Sequence, residues 1–189
     1  MVWVNTSPLV KTYTLEEFWE LPEPPDHSKI ELIAGVLFMT PPPEKPHGKA
    51  VSRILLLLSN FLIETADKGR YYVPRHAIAL SPNTWLEPDL FYVSAETEAQ
   101  STTRYHTTAD LVVEVISPGS AIYDRNTKAD TYIALGVKEL WLVDELSGII
   151  EVRILKGDSY QSHVFERYDR LISTILPGFG FKVGEIFED

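Results

Sequence analysis

The sequence predicts an α/β fold in which a mixed β-sheet is flanked by helices. Three observations carry that expectation. From Gly48, apolar residues recur at helical spacing through Val51, Ile54, Leu55, Leu58, Phe61 and Leu62. Between Leu111 and Val143 a strand-like run, a helical stretch and a second strand-like run follow one another, the pattern of a right-handed crossover between parallel strands. Elsewhere, short apolar runs flank glycine-containing turns in the manner of antiparallel hairpins, so the sheet should be mixed.

Each element has a local cause. Thr14 and Glu17 form a capping box that opens a short helix, which Pro22, Pro24 and Pro25 bring to an end. Residues 30–33 and 36–39 flank Ala34-Gly35 as a hairpin, with the glycine supplying an unusual backbone angle. Pro41-Pro42-Pro43 is a stiff extended loop. The long helix spans residues 48–67, and its apolar stripe, widened by Leu56 and Leu57, suits packing on a sheet. Residues 71–80 read as one strand whose start, at Pro74, is an edge or a bulge. Residues 90–93 and 111–116 are strands, the second apolar enough to be buried on both faces. A helix over residues 121–135 is closed by Gly136, and residues 139–144 form the next strand. Residues 149–155 and 160–165 make a hairpin around Lys156-Gly157-Asp158. The tail around Pro177-Gly178-Phe179-Gly180 reads as turns, with no element predicted.

Composition narrows the function. At 189 residues and 44% hydrophobic content, one domain is expected over residues 1–189, with 1–28 as its N-terminal helix and proline-rich lead-in. The absence of cysteine excludes disulfides, thiolate zinc sites and a cysteine nucleophile. Neither a phosphate-binding P-loop, a serine nucleophile elbow nor zinc-ligand spacing is present. The longest apolar run, residues 54–58, falls far short of the roughly 20 residues that cross a bilayer. No basic-then-apolar leader opens the chain, and a cytoplasmic protein with no membrane partner is expected. A formal net charge of -10 opposes binding to a phosphate backbone unless cations gather locally. Candidates for such a rim are Lys45, Lys49, Arg53, Arg70, Arg75, Arg104, Arg125 and Lys128.

The chemistry concentrates on a few charged residues. Glu114 stands within Leu111-Val112-Val113-Glu114-Val115-Ile116, where every neighbour prefers the interior and an unpaired carboxylate would cost several kcal/mol. A buried arginine or an edge position could compensate it, and so could a metal ion. Asp89, after Pro88 and at the entrance to a short apolar strand, would serve an ordinary turn equally well. Carboxylates on adjacent strands, however, can share a hard cation through oxygen ligands. On the helix that follows, Asp124, Lys128 and Tyr132 recur at four-residue intervals and share one face. That spacing fits a surface ion pair, or an ammonium presented to the same sheet end to orient water or neutralise phosphate.

Together, Pro88-Asp89, Glu114-Val115-Ile116-Ser117-Pro118, Asp124, Lys128, Gly136-Val137 and Glu139-Leu140-Trp141-Leu142-Val143-Asp144 resemble the "putative restriction endonuclease" family, also called domain of unknown function 820. That family is assigned to the PD-(D/E)XK phosphodiesterase superfamily. The resemblance extends to Glu31-Leu32-Ile33-Ala34-Gly35, Pro43 and His47 and so covers most of the chain. It implies a restriction endonuclease-like core and a magnesium-dependent endonuclease acting on DNA, with manganese as a possible substitute. By this resemblance Asp89 and Glu114 bind the metal, the Val115 carbonyl is a further ligand, and Lys128 assists attack of water on phosphate. Glu31, His47 and Asp124 are auxiliary: Glu31 as an acid or a solvent-facing strand residue, His47 as a phosphate contact or a helix-end residue. His76 and His106 have no partner spacing and are assigned no role.

Two departures from the family pattern stand out. Ile116 occupies the position two after the glutamate where the superfamily places lysine, which makes Lys128, on the following helix, the migrated equivalent. Ala34 replaces an expected aspartate, with consequences confined to the hairpin turn. Two other readings compete with an endonuclease: a catalytically inactive nuclease-fold binding module, and a hydrolase of a small phosphodiester. By analogy with the superfamily, cutting two strands would suit a homodimer.

Overall fold

The computed structural model describes residues 10–157 and 159–188. Helix α1 (Leu15–Trp19) is opened by both arms of the capping box, Glu17 N–H donating to Thr14 Oγ1 at 3.2 Å and Thr14 N–H to Glu17 Oε2 at 2.9 Å. Strands β1 (Lys29–Ile33) and β2 (Val36–Thr40) form the expected hairpin. Both of its turn residues are left-handed, Ala34 at φ 49° and Gly35 at φ 84°, a pair that matches the twist of the flanking strands. The alanine therefore adopts a conformation that the sequence had suggested for the glycine alone.

Helix α2 (Lys45–Thr65) begins three residues before the periodic stretch, because Pro46 fits the first turn, where its missing N–H has no partner to lose. Ala50, Ile54, Leu58 and Leu62 form its buried stripe. Leu56 lies outside it at 53% exposure, so the stripe is narrower than the composition suggests. The expected strand over residues 71–80 is in fact two. Strand β3 (Arg70–Tyr72) and strand β4 (Ile78–Leu80) belong to different sheets, and Pro74, which has no N–H to give to a ladder, stands between them. Strand β5 (Thr84–Leu86) and helix α3 (Ala95–Gln100) add to the predicted set.

Strands β6 (Leu90–Val93), β7 (Leu111–Ile116) and β8 (Glu139–Asp144) lie where expected. The hairpin of β9 (Ile149–Lys156) and β10 (Ser159–Phe165) follows, the Asp158 of its turn lying outside the described residues. These strands build a six-stranded sheet in the order β10-β9-β8-β7-β6-β3. β7 and β8 are its parallel pair and the other neighbours run antiparallel, which makes the sheet mixed. A second, four-stranded sheet has the order β2-β1-β5-β4. The tail is more ordered than its turn-rich composition suggests. Strands β11 (Arg170–Ile172) and β12 (Gly180–Lys182) pair, helix α4 (Gly184–Phe187) follows, and Phe179 and Phe181 pack on Trp141 with ring centroids 6.1 and 5.6 Å away.

The helix expected over residues 121–135 is present but interrupted. A first turn, Ala121–Tyr123, and a last stretch, Ala129–Ala134, enclose a π turn at Asp124–Lys128, and Gly136 closes the whole at φ 77°. This composite helix covers one face of the six-stranded sheet and α2 covers the other. Alternation along each strand sorts the side chains between them. Leu111, Val113 and Val115 join the α2 core with Leu90, Tyr92, Trp141 and Val143. Val112 and Ile116 turn the other way, to Ala129 and Tyr132, with Phe91, Leu140 and Leu142. Glu114 is therefore on the composite-helix face. Among the described residues, no helix is long and apolar enough to cross a membrane.

Candidate active site

Asp89 immediately precedes β6, one step beyond the paired Leu90 and Val113, and so arrives beside Glu114 of β7 on the same face. Its Oδ2 accepts the Val115 N–H at 2.9 Å and meets His47 Nε2 at 3.0 Å. Burial pushes its pKa up, but the His47 hydrogen bond and the Lys29 and Lys128 charges outweigh that and hold it below the usual value. His47, on the first turn of α2, is thus a partner of Asp89 as well as a helix-end residue. Burial disfavours its charge, yet the bond to Asp89 carries its pKa above the ordinary value.

Glu114 is only 2% exposed. Its Oε1 forms an ion pair with the Lys128 ammonium at 2.8 Å and accepts a hydrogen bond from the Tyr132 hydroxyl at 2.5 Å. Burial, with the neighbouring charges of Asp89 and Glu31, pushes its pKa up to about 7 against the opposing pull of Lys128. Lys128 is 1% exposed and lies between two acids, with Glu31 Oε2 at 3.1 Å on its other side. Burial favours the neutral amine, but Glu114 and Glu31 more than offset it, and the group is held charged well above its usual range. Glu31, on β1, is fully engaged. Its Oε1 accepts the Glu87 N–H at 2.7 Å, while Oε2 faces Lys128, the Tyr123 hydroxyl at 3.3 Å and Lys29 at 3.8 Å.

The expected face of Asp124, Lys128 and Tyr132 is present, and all three are buried. Asp124 accepts a 2.5 Å hydrogen bond from Ser120, and burial raises its pKa. The π turn carries Asp124 and Lys128, and single π turns of this kind recur at functional sites. Glu31, His47, Asp89, Glu114, Val115, Asp124 and Lys128 all line one cavity of about 140 Å³, with Thr40, Pro41, Pro42, Pro43 and Pro74 at its wall.

Two carboxylate oxygens, Asp89 Oδ1 and Glu114 Oε2, have no hydrogen-bond partner among the described residues. Such oxygens could hold a hard divalent cation and leave positions for water and substrate. Among the described residues, no three acidic or histidine side chains close into a ready-made metal cage.

Of the cations that the sequence offers for a basic rim, Lys128 lines the cavity, while others are engaged elsewhere. Arg125 pairs with Asp144 at 2.8 Å and Glu151 at 2.9 Å, Arg75 lies against Glu23 and Glu87, and Arg104 stacks over Tyr105. Lys45 and Lys49 line a different cavity with Glu145. His106 is bonded to Glu98 at 2.9 Å and His76 to the Val73 carbonyl at 3.1 Å. Tyr132 and Tyr123 touch the site although sequence reasoning assigned them no role. For Tyr132 the four-residue spacing from Lys128 was the available signal; for Tyr123 there was none.

A mixed sheet that brings acids from neighbouring strands to one end, with a lysine delivered there by a flanking helix, defines a restriction endonuclease-like protein. The chain matches the family model described as "Putative restriction endonuclease" (Uma2) over residues 15–184, and it belongs to that family. A crystal structure described as a putative nuclease of domain of unknown function 820 from Anabaena variabilis is similar in fold, with a TM-score of 0.74. The match covers 93% of this chain and 97% of that one at 17% identity. A comparison with curated proteins finds no match.

Proposed function

We propose that this protein is a divalent-metal-dependent endonuclease that hydrolyses phosphodiester bonds of DNA. The observation that carries the reading is the contact of Lys128 Nζ with Glu114 Oε1 at 2.8 Å, beside Asp89 and in one cavity. Asp89 Oδ1, Glu114 Oε2 and the Val115 carbonyl would hold magnesium or manganese. The fit is supported by the donor type and by charge, because four carboxylates, Glu31, Asp89, Glu114 and Asp124, line the cavity against the two ammonium groups of Lys29 and Lys128. When bound, the metal supplies an acidified water and neutralises charge on the phosphoryl oxygens.

The chain's own residues do the rest. Lys128, kept charged by its two acids, orients the attacking water and faces the phosphoryl oxygens. Glu31 has both oxygens committed and fixes the ammonium rather than competing as a ligand. His47 and the Val115 N–H hold Asp89 Oδ2, which turns Oδ1 to the cavity. DNA as the substrate follows the family description, and two copies of the chain would supply one such cavity for each strand of a duplex.

The test is incubation of supercoiled plasmid with the protein in magnesium or manganese, with a chelator control and Lys128→Met alongside. Nicking that chelator and substitution both remove is expected. Intact plasmid across a broad range of salt and pH would overturn the catalytic reading in favour of a binding module. Hydrolysis of a small phosphodiester with plasmid left intact would instead retain the chemistry and reject DNA.

A further inference from the structure

We infer that Tyr132 is a positioning residue that sets which oxygen of Glu114 is offered to a metal ion, an inference that rests on the proposed metal-dependent reading of the same cavity. Tyr132 is wholly buried, and its hydroxyl donates to Glu114 Oε1 at 2.5 Å. The same oxygen also forms an ion pair with the Lys128 ammonium. One hydroxyl donor and one ammonium on Oε1, and no hydrogen bond from the described residues to Oε2, make the carboxylate asymmetric. One oxygen is saturated and the other is left for the cavity.

The lysine alone would not impose that asymmetry. An ammonium is a compact charge with three rotatable donors, and this one is shared with Glu31. The phenol approaches from one direction, and its ring is locked in the apolar cluster with Val112, Leu140 and Leu142. A carboxylate swinging about its soft terminal torsion would break that bond. A buried hydroxyl needs a partner, but it does not need a carboxylate. Tyr160 shows the alternative in the same chain, its hydroxyl donating to the Val137 carbonyl at 2.7 Å.

The experiment is manganese titration calorimetry on the intact protein, Tyr132→Phe and Tyr160→Phe, each at a temperature where circular dichroism shows it fully folded, with plasmid nicking across a metal series. Loss of a group that orients a ligand weakens metal binding about 10- to 100-fold, and that is the effect expected of Tyr132→Phe. Tyr160→Phe should bind as the intact protein does. Nicking by Tyr132→Phe should return towards the intact rate at saturating metal, because the defect lies in metal affinity.

Unchanged affinity in Tyr132→Phe, or an equal fall in both variants, would overturn the inference while leaving the metal reading in place. An intact protein that binds no manganese would remove both. If Tyr132→Phe does not fold, the Tyr132 hydroxyl proton of the intact protein is followed by nuclear magnetic resonance as magnesium is added. A shift of that resonance supports the inference, and its constancy through saturation overturns it.

Discussion

The Lys128 ammonium lies 2.8 Å from Glu114 Oε1, although one residue belongs to a π turn and the other to the central strand β7. Ile116 shares the face of Glu114, but it is buried against Ala129, Tyr132 and their neighbours. The place where a strand-borne lysine would stand is thus closed by apolar packing. The charge reaches the glutamate from the helix that covers it.

Replacing Lys128 with methionine should remove the cation and leave Glu31 and Glu114 buried against each other. Breaking a buried pair in this way costs about 3–5 kcal/mol. Urea unfolding of the metal-free protein should show a loss of that size. A variant as stable as the parent would mean that the two acids are not held by Lys128.

Glu31→Gln should separate orientation from metal binding. Both Glu31 oxygens are occupied, by the Glu87 N–H and by the Lys128 ammonium, so metal affinity should be unchanged. Cleavage should fall by about 100-fold, the scale on which a slightly misplaced group slows a reaction. Metal affinity that falls with the rate would instead make Glu31 a ligand.

Ala34→Asn should stabilise the hairpin. Left-handed backbone costs an ordinary residue about 1–2 kcal/mol, and asparagine tolerates it. A gain of about 1 kcal/mol in denaturant unfolding, with cleavage unaltered, is expected. No gain would show that the φ of 49° is not a source of strain.

Asp110 gives the fold an acid-side dependence. Burial pushes its pKa up, but the Lys138 ammonium, the Ser94 N–H and the Thr97 hydroxyl together hold it below the usual value. Its contribution is therefore fully present above the unfolded value of about 3.9 and is lost as pH falls through the lower folded value. Asp110→Asn should cost roughly 1.5–3 kcal/mol at neutral pH, the range for hydrogen bonds to a charged group. It should also flatten the fall in stability below about pH 4. An unchanged acid-side profile would contradict this.

Much of this was legible in the chain because it is written in short-range periodicity. The alternation in residues 111–116 places Glu114 on one face, and the four-residue spacing of Asp124, Lys128 and Tyr132 places them on another that meets it. What was not legible depends on contacts between distant segments. The π turn has no sequence mark. Phe179, Phe181, Val183 and Ile186 belong to the core only because the tail folds back on Trp141 and α2. The same limit held within the site. Residue types made Asp89, Glu114 and Lys128 candidates and the family resemblance implied their roles, but the pairing of His47 with Asp89 and the commitment of both Glu31 oxygens required tertiary geometry.

Magnesium or manganese titration calorimetry on the intact protein, Asp89→Ala and Glu114→Ala tests the central claim most directly. The account predicts binding by the intact protein that either substitution abolishes while circular dichroism shows both variants folded. Binding that survives both substitutions, or an intact protein that takes up neither metal, would contradict it.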